Sequence, residues 1–299
     1  MRVIVSAASG LIGSALAADL AASGAEVIRL VRRPPHTAAE LRWDPREPGG
    51  GLDPGALRGA DAVVHLSGAP IAPRRWTPAR KALLRSSRIG STAALARALA
   101  AADQLPGVLL CASAIGYYGQ TGDREVDETA PPGTGFLADL VRDWEAAAEP
   151  ARAAGIRVVN FRSGIVLAAS GGMLGRMLLP FRLGLGARIG SGRQYLSWIS
   201  VTDEINALRF LLADERASGA FNLTAPAPVT NAQFTSALAG TLGRPAALAL
   251  PSAVLRAALG EVASELLGSA RVLPARLEAA GFTFTHADIA AALRALLPG

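Results

Sequence analysis

Hydrophobic positions in the N-terminal half of the chain form short continuous runs that alternate with longer segments of helical periodicity. The short runs are residues 3–6, 26–31, 62–66, 108–112 and 158–161. The helical segments between them are residues 11–22, 78–102 and 136–154. Strands that are hydrophobic without alternation are typical of parallel sheets covered on both faces. The pattern therefore predicts an α/β fold, with a doubly wound parallel sheet between two layers of helices.

The pattern changes after residue 167. Residues 168–200 are rich in glycine, and we expect an irregular segment with a functional role, because long loops in compact chains are commonly functional. A predicted helix at about 202–213 and a strand at 219–224 return to the sheet pattern. From Asn231 onward the chain is predicted to be mostly helical, with prolines separating the helices.

The turn between the first predicted strand and the first helix reads Ser6-Ala-Ala-Ser-Gly-Leu-Ile-Gly13. Glycines at such a turn let backbone N–H groups and the positive end of the helix approach a pyrophosphate. Two glycines remain of a G-x-x-G-x-x-G spacing, with Ala7 at the first place, so an ordinary tight turn is the alternative. The residues expected to bind the cofactor here are Ser9, Gly10, Leu11, Ile12 and Gly13.

Arg32 and Arg33 follow the second predicted strand, where an NAD-dependent enzyme usually carries an acidic residue for the ribose hydroxyls. Guanidinium groups instead pair with the 2′-phosphate of NADP. One such contact, about 1.5–3 kcal/mol, favours NADP by about ten- to a hundredfold. The sequence therefore predicts NADP as the cofactor, and a solvated basic strand end is the alternative.

Composition narrows the possible partners of this 299-residue chain, which is 51% hydrophobic. The net charge of +6 comes from arginines scattered among 24 acidic residues, so we expect no nucleic-acid partner. The single cysteine, Cys111, lies in an apolar run and is expected to be buried, which leaves no disulfide within the chain and no expected metal site. The N-terminus resembles no signal peptide, and no apolar stretch reaches the ~18 residues of a membrane span. We therefore expect a cytoplasmic protein without membrane attachment.

Motifs beyond the turn resemble those of an extended, atypical short-chain dehydrogenase/reductase. These motifs are Asp61-Ala-Val-Val-His-Leu-Ser-Gly68, Arg74-Arg-Trp-Thr77, Ser87-Arg-Ile-Gly-Ser-Thr92 and Ser113-Ala-Ile-Gly-Tyr-Tyr-Gly119. Further segments resemble the NAD-dependent epimerase/dehydratase family in the form that carries a C-terminal domain of unknown function. They include Asp143-Trp-Glu145, Phe161-Arg-Ser-Gly164, Ser197-Trp-Ile199, Gly260-Glu261 and Arg271-Val-Leu-Pro-Ala-Arg-Leu277. The resemblance covers essentially the whole chain.

The resemblance implies a Rossmann-type doubly wound parallel sheet with a smaller, mostly helical C-terminal substrate lobe. Residues 1–240 would form the NADP-binding domain, with residues 168–200 contributing to the lobe. Residues 247–299 would form the helical domain of unknown function.

The resemblance also places later residues around the cofactor. Leu66 and Ser67 would border the adenosine, Arg88 would reach toward the phosphates, and Val166 would flank the nicotinamide. The alternatives are sheet core for Leu66 and Val166 and a solvated helix face for Arg88.

The catalytic tyrosine and lysine of the short-chain dehydrogenases/reductases that this chain resembles are missing from the sequence. These enzymes use a serine, a tyrosine, and a lysine four residues after the tyrosine that lowers the tyrosine pKa. This chain has one lysine, Lys81, and residue 77 is a threonine, so no Tyr-x-x-x-Lys occurs. Alignment on Glu145 puts Leu137 and Val141 at the tyrosine and lysine positions, where neither can exchange a proton.

Ser113 and Tyr117 are the candidate catalytic residues that remain. Ser113 is predicted at the carboxyl end of the fifth strand, the edge where open α/β sheets bind ligands, and Tyr117 follows closely. Asp139 and Glu145 are held in reserve. The alternatives are a local hydrogen bond for Ser113 and a solvated helix face for the two acids.

Two functions agree with these residues. The first is an NADP-dependent oxidoreductase or nucleotide-sugar epimerase with a small-molecule substrate, and the second is a non-catalytic NADP(H)-sensing protein. An anionic or sugar-like substrate could be bound by arginines and a stacking tryptophan of the Gly-rich segment, with loop solubility and core packing as the alternatives. These residues are Arg182, Arg188, Arg193 and Trp198. The sequence indicates neither the identity of the substrate nor the oligomeric state.

Overall fold

The computed structural model describes residues 1–47, 51–71 and 75–297, apart from the side chains of Glu265 and Leu266. Arg74 of the Arg-Arg-Trp-Thr motif and residues 298–299 of the predicted C-terminal domain lie outside the described residues. The strands are β1 (Arg2–Ser6), β2 (Glu26–Val31), β3 (Glu40–Arg42), β4 (Ala62–His65), β5 (Val108–Ala114), β6 (Glu125–Val126), β7 (Arg157–Ser163), β8 (Ile165–Ala168), β9 (Ala187–Ile189), β10 (Tyr195–Leu196), β11 (Trp198–Ser200), β12 (Gly219–Leu223), β13 (Val229–Thr230), β14 (Leu248–Leu250) and β15 (Arg271–Val272). The helices are α1 (Leu11–Ala22), α2 (Pro78–Arg85), α3 (Ser91–Ala100), α4 (Phe136–Ala146), α5 (Glu149–Ala153), α6 (Gly172–Arg182), α7 (Val201–Ala213), α8 (Asn231–Leu242), α9 (Ser252–Leu259), α10 (Val262–Leu266), α11 (Ala275–Ala279) and α12 (Ile289–Leu296).

Seven of these strands form one parallel sheet in the order β12-β7-β5-β4-β1-β2-β3. Val3 of β1, for example, pairs with Val27 on one side and Ala62 on the other. The predicted doubly wound parallel sheet is thus confirmed. Strand order reverses between β1 and β4, and the carboxyl edge at such a switch point is where these folds bind ligands. The sequence pattern does not predict β3, which is only three residues long.

The two faces of the sheet bury alternate residues of the same strands. Val3 and Val5 pack with α1 and α7 on one face, and Ile4 packs with α3 on the other. Cys111 lies in the second cluster and is buried, as predicted. Each buried aliphatic side chain stabilises the fold by about 1.5–3 kcal/mol, so hydrophobic residues are needed on both faces, which explains the continuous runs.

Two helices that the sequence predicts as continuous are divided. In segment 78–102 a π-helical turn at Ser86–Gly90 separates α2 from α3, and Ser91 Oγ donates to two carbonyl oxygens of that turn at 2.7 and 3.1 Å. Serine hydroxyls that compete for backbone carbonyls commonly distort helices. Segment 136–154 divides into α4 and α5 because Pro150 has no N–H to continue the first helix.

Residues 168–200 contain α6 and three short strands, so the prediction of an irregular segment was wrong. Leu174, Leu178 and Phe181 recur at helical spacing along α6 and are buried. Gly175 does not end the helix; a Cβ there would lie 3.1 Å from a backbone carbonyl oxygen. The glycine instead allows the start of α6 to pack closely against the chain before it.

The C-terminal part is mostly helical, as predicted, and short strands tie it to the rest of the chain. β14 pairs with β9, and β15 pairs with β6. Helix α12 packs with α6 and α8 in a further hydrophobic cluster. Across the described parts of the chain, no helix combines the length and apolar character that a membrane crossing requires.

Candidate functional site

The turn between β1 and α1 presents free backbone N–H groups at the carboxyl edge of the sheet. Ser14 N donates the first backbone hydrogen bond of α1, to Gly10 O at 2.8 Å, and no side chain caps the helix. The N–H groups of residues 11–13 are therefore available to a ligand. The helix dipole favours a negative charge at this end, so the backbone of the predicted residues fits a pyrophosphate.

Ala7 and Gly13 shape this turn. Ala7 has a φ of 50°, in the left-handed region that favours glycine, at the place where the spacing predicts the first glycine. A Cβ on Gly13 would lie 2.4 Å from the Ala7 carbonyl oxygen, so only glycine fits there. Backbone strain of this kind is held at functional sites more often than elsewhere.

Ser6 joins the ends of β1 and β4 beside the turn. Its Oγ accepts hydrogen bonds from Leu66 N at 2.9 Å and from the Ser67 hydroxyl at 3.1 Å. His65 Nδ1 lies 2.9 Å from the same oxygen, and burial lowers the pKa of His65 to about 3, so the ring is neutral. The predicted residues Leu66 and Ser67 are thus fixed next to the turn by a serine that the sequence reasoning did not single out.

Arg88 holds the loop that follows β4. Its Nη1 donates to Ala69 O at 2.9 Å, and its guanidinium lies 5.2 Å from the centre of the Trp144 ring. Burial, with a smaller effect from the charge of Arg80, lowers the pKa of Arg88 to about 10. The predicted contact of Arg88 with the cofactor phosphates stays a prediction.

The two arginines after β2 have different surroundings. Arg33 donates two hydrogen bonds to Glu40, at 2.8 and 2.6 Å, and the His36 N–H donates to the same carboxylate at 2.7 Å. The hydrogen bond from Arg33 is the main reason that the pKa of Glu40 falls to about 2. Arg32 is exposed and makes no hydrogen bond or ion pair with any described residue. Arg32 thus has no protein partner among the described residues, and Arg33 is anchored by Glu40 with its side chain 46% exposed. The predicted contact of both arginines with a 2′-phosphate stays a prediction.

Val166 and Leu11 lie close together, although 155 positions of sequence separate them. Gly172, the first residue of α6, has a φ of 65°. A Cβ on Gly172 would lie 3.3 Å from Leu11 Cδ2 and 3.4 Å from the Val166 carbonyl oxygen. The structure thus brings the predicted nicotinamide neighbour against the predicted pyrophosphate turn.

A cleft of about 410 Å³ opens at the carboxyl ends of β5 and β7. Ile115 and Ile165, which follow these strands, form part of its wall, and α4 contributes Leu137. The C-terminal part closes the opposite side with Glu261 and with residues 268–270. The volume is within the range of small-molecule sites.

A buried hydrogen-bonded chain lies behind the cleft. Ser113 Oγ donates to Glu145 at 2.5 Å, and Arg162 donates to both oxygens of Glu145 at 2.7 and 2.8 Å. Arg162 Nη1 also donates to the Tyr118 hydroxyl at 2.9 Å, which in turn donates to Asn222 Oδ1 at 2.8 Å. Glu145, held in reserve by the sequence analysis, is therefore a direct partner of Ser113.

Burial and neighbouring charges determine the protonation of Arg162 and Tyr118 in this hydrogen-bonded chain. Burial opposes the charge of Arg162, but the hydrogen bonds and negative charge of Glu145, with smaller effects of Tyr118, together raise the pKa of Arg162. Burial raises the pKa of Tyr118 to about 12, so its hydroxyl stays protonated. The Arg162 guanidinium also lies 3.4 Å from the centre of the Tyr117 ring, close enough for a cation–π contact. The structure thus connects Ser113, through Glu145, and Tyr117, through its ring, to the same arginine.

Leu137 and Val141 occupy the helix face turned toward the end of β5. A Cβ on Gly116 would lie 3.4 Å from Leu137 Cβ and 3.8 Å from Val141 Cγ2. Leu137 also lines the cleft, and Val141 is buried. The place expected from the resemblance for a tyrosine and a lysine is therefore apolar.

Lys81 lies in α2 at the rim of the cleft. Its Nζ lies 2.7 Å from Glu261 Oε1 and 4.9 Å from the centre of the Phe136 ring. Arg75 Nε donates to Ala258 O at 3.0 Å. These contacts fasten the start of α2 to the C-terminal part and keep the two walls of the cleft together.

Ser163 and Glu204 form a second polar pair at the end of β7. Ser163 Oγ donates to Glu204 Oε1 at 2.6 Å. The side chain of Glu204 is fully buried, and no described group hydrogen-bonds to its Oε2 atom. Burial raises the pKa of Glu204 to about 8. The sequence reasoning did not single out this residue, because its position in α7 resembles an ordinary first-turn acid.

Several other residues named from the sequence lie away from the cleft. Arg182, Arg188 and Arg193 are exposed, and none is among the described residues that line it. Trp198 is 1% exposed, and its indole N–H donates to Ala227 O at 3.1 Å. Its role as a stacking face is therefore wrong, because the ring is needed in the core.

Asp139, the other acid held in reserve, pairs with Arg142 at 3.1 Å on the outer surface of α4. Within the described ranges, no three or more His, Cys, Asp and Glu residues are grouped as metal ligands would be.

Relatives with similar sequences span nearly the same length. An epimerase family protein of Mycobacterium bovis is 53% identical over 292 residues, which is 97% of this chain and 96% of the relative. The human epimerase family protein SDR39U1 is 38% identical over 302 residues, 99% of this chain and 100% of the relative.

Solved structures with similar folds include two at more than a third identity. The human SDR39U1 structure with NADPH has a TM-score of 0.90 at 37% identity and covers 99% of both chains. A nucleoside-diphosphate sugar epimerase of Corynebacterium glutamicum has a TM-score of 0.81 at 36% identity and covers 98% of this chain and 57% of that one.

The family models agree with these relatives. Residues 250–296 match a domain of unknown function, DUF1731. Residues 3–224 match the NAD dependent epimerase/dehydratase family. The resemblance noted from the motifs is thus confirmed, and the chain belongs to the NAD dependent epimerase/dehydratase family.

Proposed function

We propose that the chain is an NADP(H)-dependent oxidoreductase that acts on a small molecule in the cleft at the ends of β5 and β7. One observation carries the proposal. β8 borders both the cleft, through Ile165, and the nucleotide turn, through Val166 beside Leu11. A cofactor bound along the carboxyl edge would therefore reach the cleft. The human relative solved with NADPH supports the choice of cofactor.

The residues at the carboxyl edge fit NADP(H). The free N–H groups of residues 11–13 would bind the pyrophosphate, and Arg32 would bind the 2′-phosphate. Leu66, Ser67 and Arg88 would border the adenosine side. When bound, the reduced cofactor supplies a hydride to a carbonyl carbon, and the carbonyl oxygen takes a proton to give an alcohol.

Ser113 and Tyr117 are the proposed residues for the proton. Neither is among the described residues that line the cleft, but Ile115 and Gly116, which lie between them in the chain, do line it. Ser113 Oγ donates a hydrogen bond to Glu145 Oε1 at 2.5 Å, and a proton can move along this bond. Arg162, which donates two hydrogen bonds to Glu145, also packs its guanidinium against the Tyr117 ring and so holds that ring in place.

A non-catalytic NADP(H) sensor is the second candidate. The observation that favours it is the apolar pair Leu137 and Val141 on the helix that faces the end of β5. A protein of this kind would bind the cofactor and respond to it without turnover.

The test is NADPH oxidation by the purified protein with a broad panel of aldehydes and ketones. Loss of a general acid typically lowers the rate by about 10²–10⁴-fold, so we expect Tyr117→Phe to fall in that range. Tyr195→Phe, which removes the hydroxyl of a tyrosine in the wall of the cleft, shows whether a loss of turnover is specific to Tyr117. NADPH binding without turnover of any compound would support the sensor, and unchanged turnover by Tyr117→Phe would remove Tyr117 from the reaction.

A further inference from the structure

The inner wall of the cleft is apolar. Trp76, Phe136, Leu137 and Leu196 line it, together with Ile115 at the end of β5. Trp76 and Phe136 pack edge to face with their ring centres 5.1 Å apart, which fixes an aromatic surface on one side. Walls of this kind stabilise a ligand mainly by burying its apolar area.

Two serine hydroxyls among the polar side chains of the wall already have partners within the protein, whereas the Thr134 and Tyr195 hydroxyls, which also line the cleft, make no hydrogen bond with a described residue. Ser197 Oγ donates to Ala270 O at 2.8 Å and accepts from Val272 N at 2.8 Å. Ser269 Oγ donates to Gly122 O at 2.7 Å. These hydroxyls hold the C-terminal part in place, so little of their hydrogen-bonding capacity is left for a polar ligand.

Glu261 is the charged residue among the described residues of the wall. Its carboxylate lies 2.7 Å from Lys81 Nζ, so the pair adds no net charge, and the carboxylate is the member that faces the cleft. No cation is among the described residues that line the cleft, and Lys81 at its rim is already paired with Glu261. A phosphate or carboxylate ligand would therefore be buried without a free positive partner, which is costly.

We propose that the substrate is a neutral, largely apolar carbonyl compound or alcohol with a ring system, not an anionic nucleotide sugar. The proposal rests on the proposed function, because it concerns the same cleft. The ring would lie against Trp76 and Phe136, and its reacting carbon would face the end of β5. Reduction would convert the C=O group to CH–OH, with the hydride taken from NADPH, which becomes NADP⁺, and the proton taken from the protein.

The experiment compares three probes by calorimetric titration of the NADPH-saturated protein. They are 2-naphthalenemethanol, 2-naphthoate and UDP-glucose, none of which can accept a hydride from NADPH in a simple carbonyl reduction. We expect the neutral alcohol to bind at least about tenfold more tightly than the carboxylate of the same ring system. UDP-glucose is expected to bind more weakly than either aromatic probe.

A cation placed in the wall should change this order. Leu137→Lys is expected to remove or reverse the preference for the alcohol over the carboxylate. Leu183→Lys, which adds the same charge at a position 65% exposed on the surface, is expected to leave the order unchanged. Circular dichroism and NADPH affinity show whether each variant is folded.

Two outcomes overturn the proposal. One is tightest binding of UDP-glucose, which would indicate a nucleotide-sugar site, and the other is equal binding of alcohol and carboxylate by the unchanged protein. The same titrations without NADPH distinguish a failure of the proposed oxidoreductase function from a failure of the substrate assignment for the cleft. If the protein does not bind NADPH but keeps the preference for the alcohol, the proposed oxidoreductase fails while the assignment of the cleft stands.

Discussion

Removal of Arg32 is expected to weaken NADPH binding without affecting NADH. Arg32 is exposed at the carboxyl end of β2 and has no hydrogen-bond or ion-pair partner among the described residues, so its guanidinium is free to bind the 2′-phosphate. Arg33 next to it already donates two hydrogen bonds to Glu40. Replacement of Arg32 by alanine therefore removes the cation that NADPH needs and leaves the local structure intact.

The size of the effect follows from the contact that is lost. A charge-assisted hydrogen bond contributes about 1.5–3 kcal/mol, which corresponds to about a ten- to hundredfold higher Kd for NADPH. NADH lacks the 2′-phosphate, so its Kd should change by less than about twofold. Both affinities are measured by the quenching of protein fluorescence or by calorimetric titration.

Arg29→Ala is the matched control. Arg29 is an exposed arginine of the same strand, so this variant removes the same charge from β2 at a position before the carboxyl end. It should change the Kd for NADPH only slightly. The reasoning is refuted if Arg29→Ala and Arg32→Ala weaken NADPH equally, or if Arg32→Ala weakens NADPH and NADH by the same factor.

Three further predictions concern the turn, the buried ion pair and the buried acid. Gly13→Ala forces a Cβ to within 2.4 Å of a carbonyl oxygen and should raise the Kd for NADPH by at least about tenfold, whereas Gly240→Ala, where a Cβ meets nothing within 4 Å, should leave the Kd unchanged. Arg162→Met leaves a buried carboxylate without its cation and should lower the free energy of unfolding by about 3–5 kcal/mol in urea titrations; Arg142→Met, on an exposed helix face, should change it by no more than about 0.5 kcal/mol. Since the pKa of Glu204 is raised from 4.5 to about 8, its neutral form stabilises the fold fully below the lower value, and that contribution is lost as the pH rises through the higher one. The Tm of the unchanged protein should therefore fall relative to that of Glu204→Gln between about pH 5 and pH 8, and parallel Tm profiles would contradict this reasoning.

The sheet and the nucleotide turn were predictable because their signals are local. Residues 11–22 and 26–31 were predicted with the bounds that α1 and β2 have in the structure, since glycines mark the turns and hydrophobic runs mark the strands. Gly13 follows from the same turn. Helix α6 was not predictable in this way, because the glycines at its start are as typical of an irregular loop as of a helix.

The candidate catalytic region was predictable only in part, because its contacts join distant residues. Ser113 was named from its place at the end of a strand, but its bond to Glu145 and the bond of Glu145 to Arg162 depend on how α4 packs against the sheet. Lys81 and Glu261, 180 positions apart, meet only because the C-terminal part folds back over α2. Periodicity and spacing carry no information about such pairs.

A crystal structure of the chain with NADPH tests the central claim most directly. The account predicts that the pyrophosphate lies on the amides of residues 11–13, that the 2′-phosphate contacts Arg32, and that the nicotinamide ring opens into the cleft between Ile115 and Ile165. A nicotinamide ring that lies outside this cleft, or a 2′-phosphate turned away from Arg32, would contradict it.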